Sequence, residues 1–312
     1  MRVVMFGAGG VGGYFGARLV EAGHDVVFIA RGAHLAALRR DGLRVESPAG
    51  DARLARVSAT DDPRAAGPAD LVIVAVKSWQ LPEASRGLST LLEGGGVVLP
   101  LLNGVEAAAQ LAEVVGDDRV LKGLARIISF IASPGTIRHV GAEPTMALGE
   151  PDGRPSERVQ RVAGVLRGAG IRTEVPDDID AALWLKFLFV VPIGGLGAVT
   201  RAPMGVVRSQ PDTRALLEAA MHEVQAVAAG HGVALPADTV PKALRFIETL
   251  PAEGTASLHR DVAEGRRSEL DAWNGAVVRL GREAGVPTPV HAFIYHSLLP
   301  LERRARGEIA FA

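Results

Sequence analysis

An α/β fold, with an N-terminal doubly wound parallel sheet and a C-terminal all-helical domain, is predicted by three features of this 312-residue chain. Short apolar runs alternate with helical periods through the first half, as strand–helix units do. Two runs, Leu71 to Val76 and Gly96 to Leu102, are almost wholly apolar, as expected of parallel strands buried on both faces. Beyond about Glu174 the pattern turns helical, with no strand signal. At roughly 150 residues per domain the length suits two domains, and the composition shift places the join near Pro176, giving 1–176 and 177–312.

In order, Val3 to Phe6 reads as a strand, Val11 to Ala22 as a helix, Asp25 to Ala30 as a strand and Ala33 to Arg40 as a short helix. Leu43 to Ala59 reads as an antiparallel pair turned near Pro48-Ala49-Gly50. The strand from Asp70 and the strand from Gly96 follow, then a helix from Val105 to Val115. In the second half Ala215 to His231 is the clearest helix, and Leu235-Pro236 and Gly285-Val286-Pro287 punctuate the rest. Phe187 to Val199 is the most apolar stretch, read as interrupted by Pro192, Gly194, Gly195 and Gly197. It is shorter than the roughly 20 residues of a membrane-spanning helix, so no membrane association is expected.

With 34 basic and 35 acidic side chains, the chain lacks the basic surplus of a general nucleic-acid binder. The absence of cysteine excludes disulfides, thiolate metal sites and cysteine nucleophiles, and fits a cytoplasmic location. The eight histidines show no metal-ligand spacing, so no metal is expected. His259, His291 and His296 read as surface or capping residues.

Gly7-Ala8-Gly9-Gly10-Val11-Gly12 fits G-x-G-x-x-G between the first strand and the first helix, the Rossmann-type context in which the pattern gains meaning. Gly7 permits the tight turn, Gly9 a close approach of pyrophosphate to the backbone, and Gly12 close helix–strand packing. Where an NAD enzyme usually carries an acid for the ribose 2′-hydroxyl, this chain has Arg31. A guanidinium pairs with a 2′-phosphate, which favours NADP(H) over a merely solvated arginine.

Lys77 and Asn103 end adjacent buried strands, where open α/β sheets bind ligands; separately, each also reads as a solvated or turn residue. Lys186 lies in a very apolar helix, Leu183-Trp184-Leu185-Lys186-Phe187-Leu188, and either snorkels or enters a polar cavity as a proton donor. Ser257, Asp261 and Glu269 share one face if their helix is continuous through Gly265, and taken alone they read as a solvated acidic stripe.

Taken together, these residues resemble the 2-dehydropantoate 2-reductases, or ketopantoate reductases. The glycine loop, Arg31, Lys77-Ser78-Trp79-Gln80, Asn103-Gly104, Leu183-Trp184-Leu185-Lys186 and Ser268-Glu269-Leu270-Asp271 with Asn274-Gly275 occur in the family's order. The resemblance implies NADPH-dependent reduction of a 2-oxo acid to a 2-hydroxy acid, on the pantothenate route to coenzyme A. It implies Lys186 as general acid, Glu269 as the carboxylate orienting it, Asn103 near nicotinamide and substrate, and Ser257 as a substrate contact. Gly7, Gly9, Gly12, Arg31, Lys77 and Gln80 match cofactor-side positions. A small oxo acid is the implied partner, and a homodimer is compatible with it.

One departure stands out. Four and eight residues after the lysine, where the family commonly has substrate-binding asparagines, this chain has Val190 and Gly194. The expectation is a more apolar and roomier pocket. Two other readings remain open: a β-hydroxyacid-type dehydrogenase, and a non-catalytic NADP(H)-binding protein.

Overall fold

The computed structural model describes residues 1–311, which form two compact units. The first holds Met1–Leu102 and Glu106–Ile179; the second holds Asn103–Val105 and the residues from Asp180 onward. The chain thus divides three residues beyond the expected join at 176/177, at 179/180.

In the first unit β1 (Arg2–Phe6), α1 (Gly10–Glu21), β2 (Asp25–Ile29) and α2 (Gly32–Asp41) alternate as expected. β3 (Leu43–Glu46) and β4 (Ala52–Leu54) form the antiparallel pair, whereas β5 (Ser58–Thr60) joins β2 in parallel. After α3 (Pro63–Ala66) come β6 (Leu71–Val74), α4 (Leu81–Ser85), α5 (Leu88–Leu91), β7 (Val97–Pro100) and α6 (Ala107–Val115). The parallel sheet has the order β5-β2-β1-β6-β7. Successive residues of β1 enter opposite cores: Val3 and Met5 pack with Phe15 and Leu19, while Val4 and Phe6 pack with Leu88 and Leu91. Strand order reverses at β1, so the ligand crevice of such a sheet falls beyond the carboxyl ends of β1 and β6.

Residues 116 to 174 carry no clear periodicity in the sequence. They contain a long antiparallel hairpin, β8 (Lys122–Ser133) and β9 (Thr136–Gly149), then α7 (Glu157–Gly168) and β10 (Arg172–Glu174). β9 also pairs in parallel with β3 and β10, building a second sheet. Ile128, Phe130, Ile131 and Val140 are exposed on this hairpin, so apolar alternation does not separate its inner from its outer face.

The second unit comprises α8 (Ile179–Thr200), α9 (Met204–Ser209), α10 (Pro211–Gly230), α11 (Thr239–Glu248), α12 (Ser257–Ala263), a π-helical turn (Asp271–Gly275), α13 (Ala276–Glu283) and α14 (Pro289–Ala305). One expectation is corrected here: α8 runs unbroken through Pro192 and the three glycines. It is long and apolar enough to cross a membrane, but 72% of its most apolar window is buried inside the protein, as in a core helix. Interior proline costs about 3 kcal/mol in a helix, a penalty that burial on this scale offsets.

His259 and His291 are buried, not surface residues. Glu223 of α10 explains His291. Its carboxylate accepts the backbone N–H groups of Val290 (2.7 Å) and His291 (3.0 Å) at the start of α14, and Nδ1–H of His291 at 2.7 Å. Burial opposes ionisation of Glu223, but these donors outweigh it and hold the carboxyl below its ordinary range. A depressed folded-state pKa adds stability above the unfolded value and loses it as pH falls through the folded one. Glu223→Ala, which leaves the imidazole and helix start without their acceptor, is expected to cost about 3 kcal/mol or more in urea unfolding at neutral pH. The difference from the parent should shrink below about pH 4 as the parent's own carboxyl protonates; a constant difference down to pH 3 would contradict this account.

Candidate active site

In the first unit the candidate residues start at the turn between β1 and α1. Gly7 has φ +107°, and a Cβ there would lie 2.9 Å from the Ala75 carbonyl. At Gly12 it would lie 2.0 Å from the Gly7 oxygen, and at Gly10 2.4 Å from the Ser129 oxygen of β8. Gly9 differs from all three: no protein atom comes within 4 Å of the corresponding point. Space that only a Cβ or a ligand would fill, at a helix start with neither side-chain cap nor acid in its first turn, fits a pyrophosphate. The residues present therefore suit a dinucleotide.

Lys77 follows β6, paired with β1 through Val74 and Phe6, so it stands beside the glycine loop as expected. Its backbone N–H donates to Gln80 Oε1 at 3.0 Å and Gln80 N–H returns a bond to the Lys77 carbonyl at 2.8 Å, fixing a tight turn. Arg31 lies beyond β2 and exposed, but it is not simply solvated. Its two terminal nitrogens each lie 3.0 Å from a different Glu83 oxygen. The guanidinium holds Glu83 below the usual carboxylate range. Sequence reasoning missed Glu83, because a position 52 residues away becomes a neighbour only through the sheet.

The helical unit holds its own set of candidate residues. Lys186 is half-buried in α8, where Asp180 in the first turn is the only other charge. Val190 is also half-buried, one turn along. A further turn along, Gly194 is buried, and its missing Cβ would meet the Trp273 ring at 2.6 Å and the Leu258 Cβ at 3.4 Å. Gly195 abuts Asn274 and Ile294, and Gly197 abuts His259. The three glycines thus let α12 and the π-turn dock directly on the lysine helix.

That docking places the remaining candidates. Ser257 begins α12, immediately before Leu258. Glu269, only 5% exposed, is one turn ahead of Trp273, whose N–H donates to the Glu269 carbonyl at 3.0 Å. Asn103 groups with this unit, and a Cβ on the next residue, Gly104 (φ +114°), would lie 3.4 Å from the Ala272 oxygen. Two expectations are corrected. Ser257, Asp261 and Glu269 do not form a solvated stripe: α12 ends at Ala263 with Gly265 at φ +67°, and Asp261 and Glu269 are buried. Nor is the protein roomier at Gly194, because Trp273 occupies the space.

The π-turn is itself firmly held. Ser268 N–H and Oγ donate to Glu302 at 2.9 and 2.6 Å, while Arg306 reaches both Glu302 and Asp271. Tyr295 donates to Asp271 at 2.9 Å. Burial alone would raise the Asp271 pKa, but Arg306 and Tyr295 lower it overall. Such π-turns occur often at functional sites. The signal for Trp273 lay in the sequence, since three glycines within one apolar helix call for bulky neighbours.

Fold and site define the class: a dinucleotide-binding α/β unit joined to a helical unit bearing acid–base side chains, the build of a nicotinamide oxidoreductase. The chain belongs to the ketopantoate reductase family. Residues 3–153 match the family described as Ketopantoate reductase PanE/ApbA, and residues 178–302 match its C-terminal part. A 2-dehydropantoate 2-reductase of Halobacterium salinarum is 35% identical over 291 residues, covering 93% of this chain and 95% of that protein. The crystal structure of a PanE/ApbA family ketopantoate reductase from Ralstonia eutropha JMP134 superposes with a TM-score of 0.90 at 33% identity, covering 98% of this chain and 100% of that one. D-mandelate dehydrogenase, solved with NADH, shares the fold with a TM-score of 0.88 at 21% identity, covering 98% and 100%.

Two glycine substitutions separate ligand space from packing space. Gly9→Ala is expected to change stability by no more than about 1 kcal/mol while weakening nicotinamide-dinucleotide binding at least tenfold. Gly12→Ala should destabilise by about 1–3 kcal/mol or more. Thermal melts and cofactor titration check both; unchanged cofactor affinity in Gly9→Ala would contradict the assignment.

Proposed function

We propose that this protein reduces a 2-oxo acid, 2-dehydropantoate or a close relative, to the 2-hydroxy acid with NADPH. When bound, the nicotinamide supplies the hydride that the carbonyl carbon accepts. The chain's own residues do the rest. Gly9 and the start of α1 receive the pyrophosphate, with Lys77 and Gln80 at the neighbouring turn. Arg31 pairs with the 2′-phosphate in place of Glu83. Lys186 donates the proton to the carbonyl oxygen, whose developing negative charge its ammonium also stabilises. Glu269 orients that ammonium, while Asn103 and Ser257 supply hydrogen bonds to the reacting end of the substrate.

The observation that carries this reading is the half-buried Lys186 in an otherwise apolar α8, onto which the segments bearing Ser257 and Glu269 dock through Gly194. An ammonium on so apolar a helix can both give up a proton and counter the negative charge that develops on a carbonyl oxygen.

Lys186→Ala is expected to lower kcat by about 10²-fold or more and to leave the NADPH Kd within about twofold. An equal loss of cofactor binding would count against the general-acid role. Arg31→Ala should raise KM for NADPH about tenfold or more with little change for NADH, since removing one charge-assisted pair is worth roughly 1.5–3 kcal/mol. Glu83→Gln, which frees Arg31, should shift preference towards NADPH. Parallel changes for both cofactors in these two variants would refute the 2′-phosphate assignment.

A further inference from the structure

Helix α8 offers the substrate very little to hydrogen-bond. From Phe187 to Val199 it has no polar side chain, and the hydroxyl of Thr200 is spent on the Leu196 carbonyl at 2.7 Å. Beyond Lys186 the half-exposed side chains before Thr200 are Phe189, Val190 and Val199, all hydrocarbon. One turn beyond Val190, Gly194 could have been an opening. It is instead covered by Trp273, itself 2% exposed, with ring carbons 2.6 and 3.1 Å from where a Cβ would stand.

The indole has little freedom to leave. Leu258 packs against Gly194 from α12, and the π-turn carrying Trp273 is tied to α14 through Asp271 and, just ahead of it, Ser268. Its Nε1–H, a donor, is sealed from solvent without a partner, and the Asn274 side-chain amide against Gly195 is sealed in the same way, so neither is open to a substrate hydroxyl. Gly194 and Trp273 are therefore complementary in volume: a side chain at 194 requires a smaller residue at 273.

We propose that Trp273 is a specificity-determining residue, closing α8 one turn beyond Val190 and leaving an apolar wall. The preferred substrates are 2-oxo acids whose carbon chain ends in hydrocarbon rather than in a hydroxyl group. A hydroxyl buried against this wall loses water and gains no partner, whereas a methyl group loses nothing. This inference rests on the 2-oxo acid reductase reading.

Two compounds differing by one oxygen test it: 2-dehydropantoate, which is 4-hydroxy-3,3-dimethyl-2-oxobutanoate, and 3,3-dimethyl-2-oxobutanoate. Steady-state kcat/KM is measured for each with NADPH and the full chain. Sites built to bind a substrate hydroxyl reject the analogue lacking it by about 10⁴–10⁵-fold, whereas apolar sites discriminate by only about 10²-fold. The expected result is that the deoxy compound is reduced at least as efficiently as the hydroxylated one. The double variant Gly194→Asn with Trp273→Leu, which replaces the indole by an amide on α8, should move the ratio at least tenfold towards 2-dehydropantoate. A wild-type preference for 2-dehydropantoate above about 10²-fold overturns the role of Trp273 while leaving the reductase reading intact. If neither compound is reduced, the reductase reading itself falls. Should the double variant not fold, the wild-type ratio alone decides.

Discussion

The helical unit depends on the close approach of two segments to the glycine face of α8. A Cβ at Gly194, Gly195 or Gly197 would collide with Trp273, Asn274 or His259, respectively. Removing those three side chains lets α12 and the π-turn lie directly on the helix that carries Lys186. Ser257 and Glu269 ride on these segments. The positions of these candidate side chains thus follow from a packing constraint, set where the helix is least polar. The same constraint explains why a helix containing Pro192 and three glycines survives: burial on nearly every side outweighs poor intrinsic propensity.

Holding the π-turn in place requires charge inside the helical unit. Glu302 is 1% exposed and accepts from Ser268 and Arg306, which also reaches Asp271. Glu223, similarly buried, caps α14 and binds His291. Such arrangements are tolerated because each carboxylate is met by several donors, and they tie α14 to both α10 and the π-turn. Stability and site geometry share these contacts.

The glycines of the first unit show the opposite use. Gly7, Gly10 and Gly12 are needed because backbone from β1, β6 and β8 crowds them, whereas Gly9 faces open space. Arg31 already has an anionic partner, since each of its terminal nitrogens lies 3.0 Å from a Glu83 oxygen. Under the proposed reading, cofactor choice is a competition between that carboxylate and the 2′-phosphate.

Much of this was legible in the chain itself. Uninterrupted apolar runs such as Leu71–Val74 announced a doubly buried parallel sheet, and local context drew attention to the glycine loop, Lys77, Asn103 and Lys186, whereas Glu269 stood out only through the family resemblance. The β8–β9 hairpin was not, since its apolar residues face outward as often as inward. Neither was the fate of the space at Gly194, the burial of Asp261 and Glu269, or the Arg31–Glu83 pair. Sequence alone determined the main elements and the candidate residues set on them, because strand and helix periodicities are local. Tertiary structure alone decided how much room those residues have and what charges meet them, because volume and Coulomb interaction depend on neighbours far away in the chain.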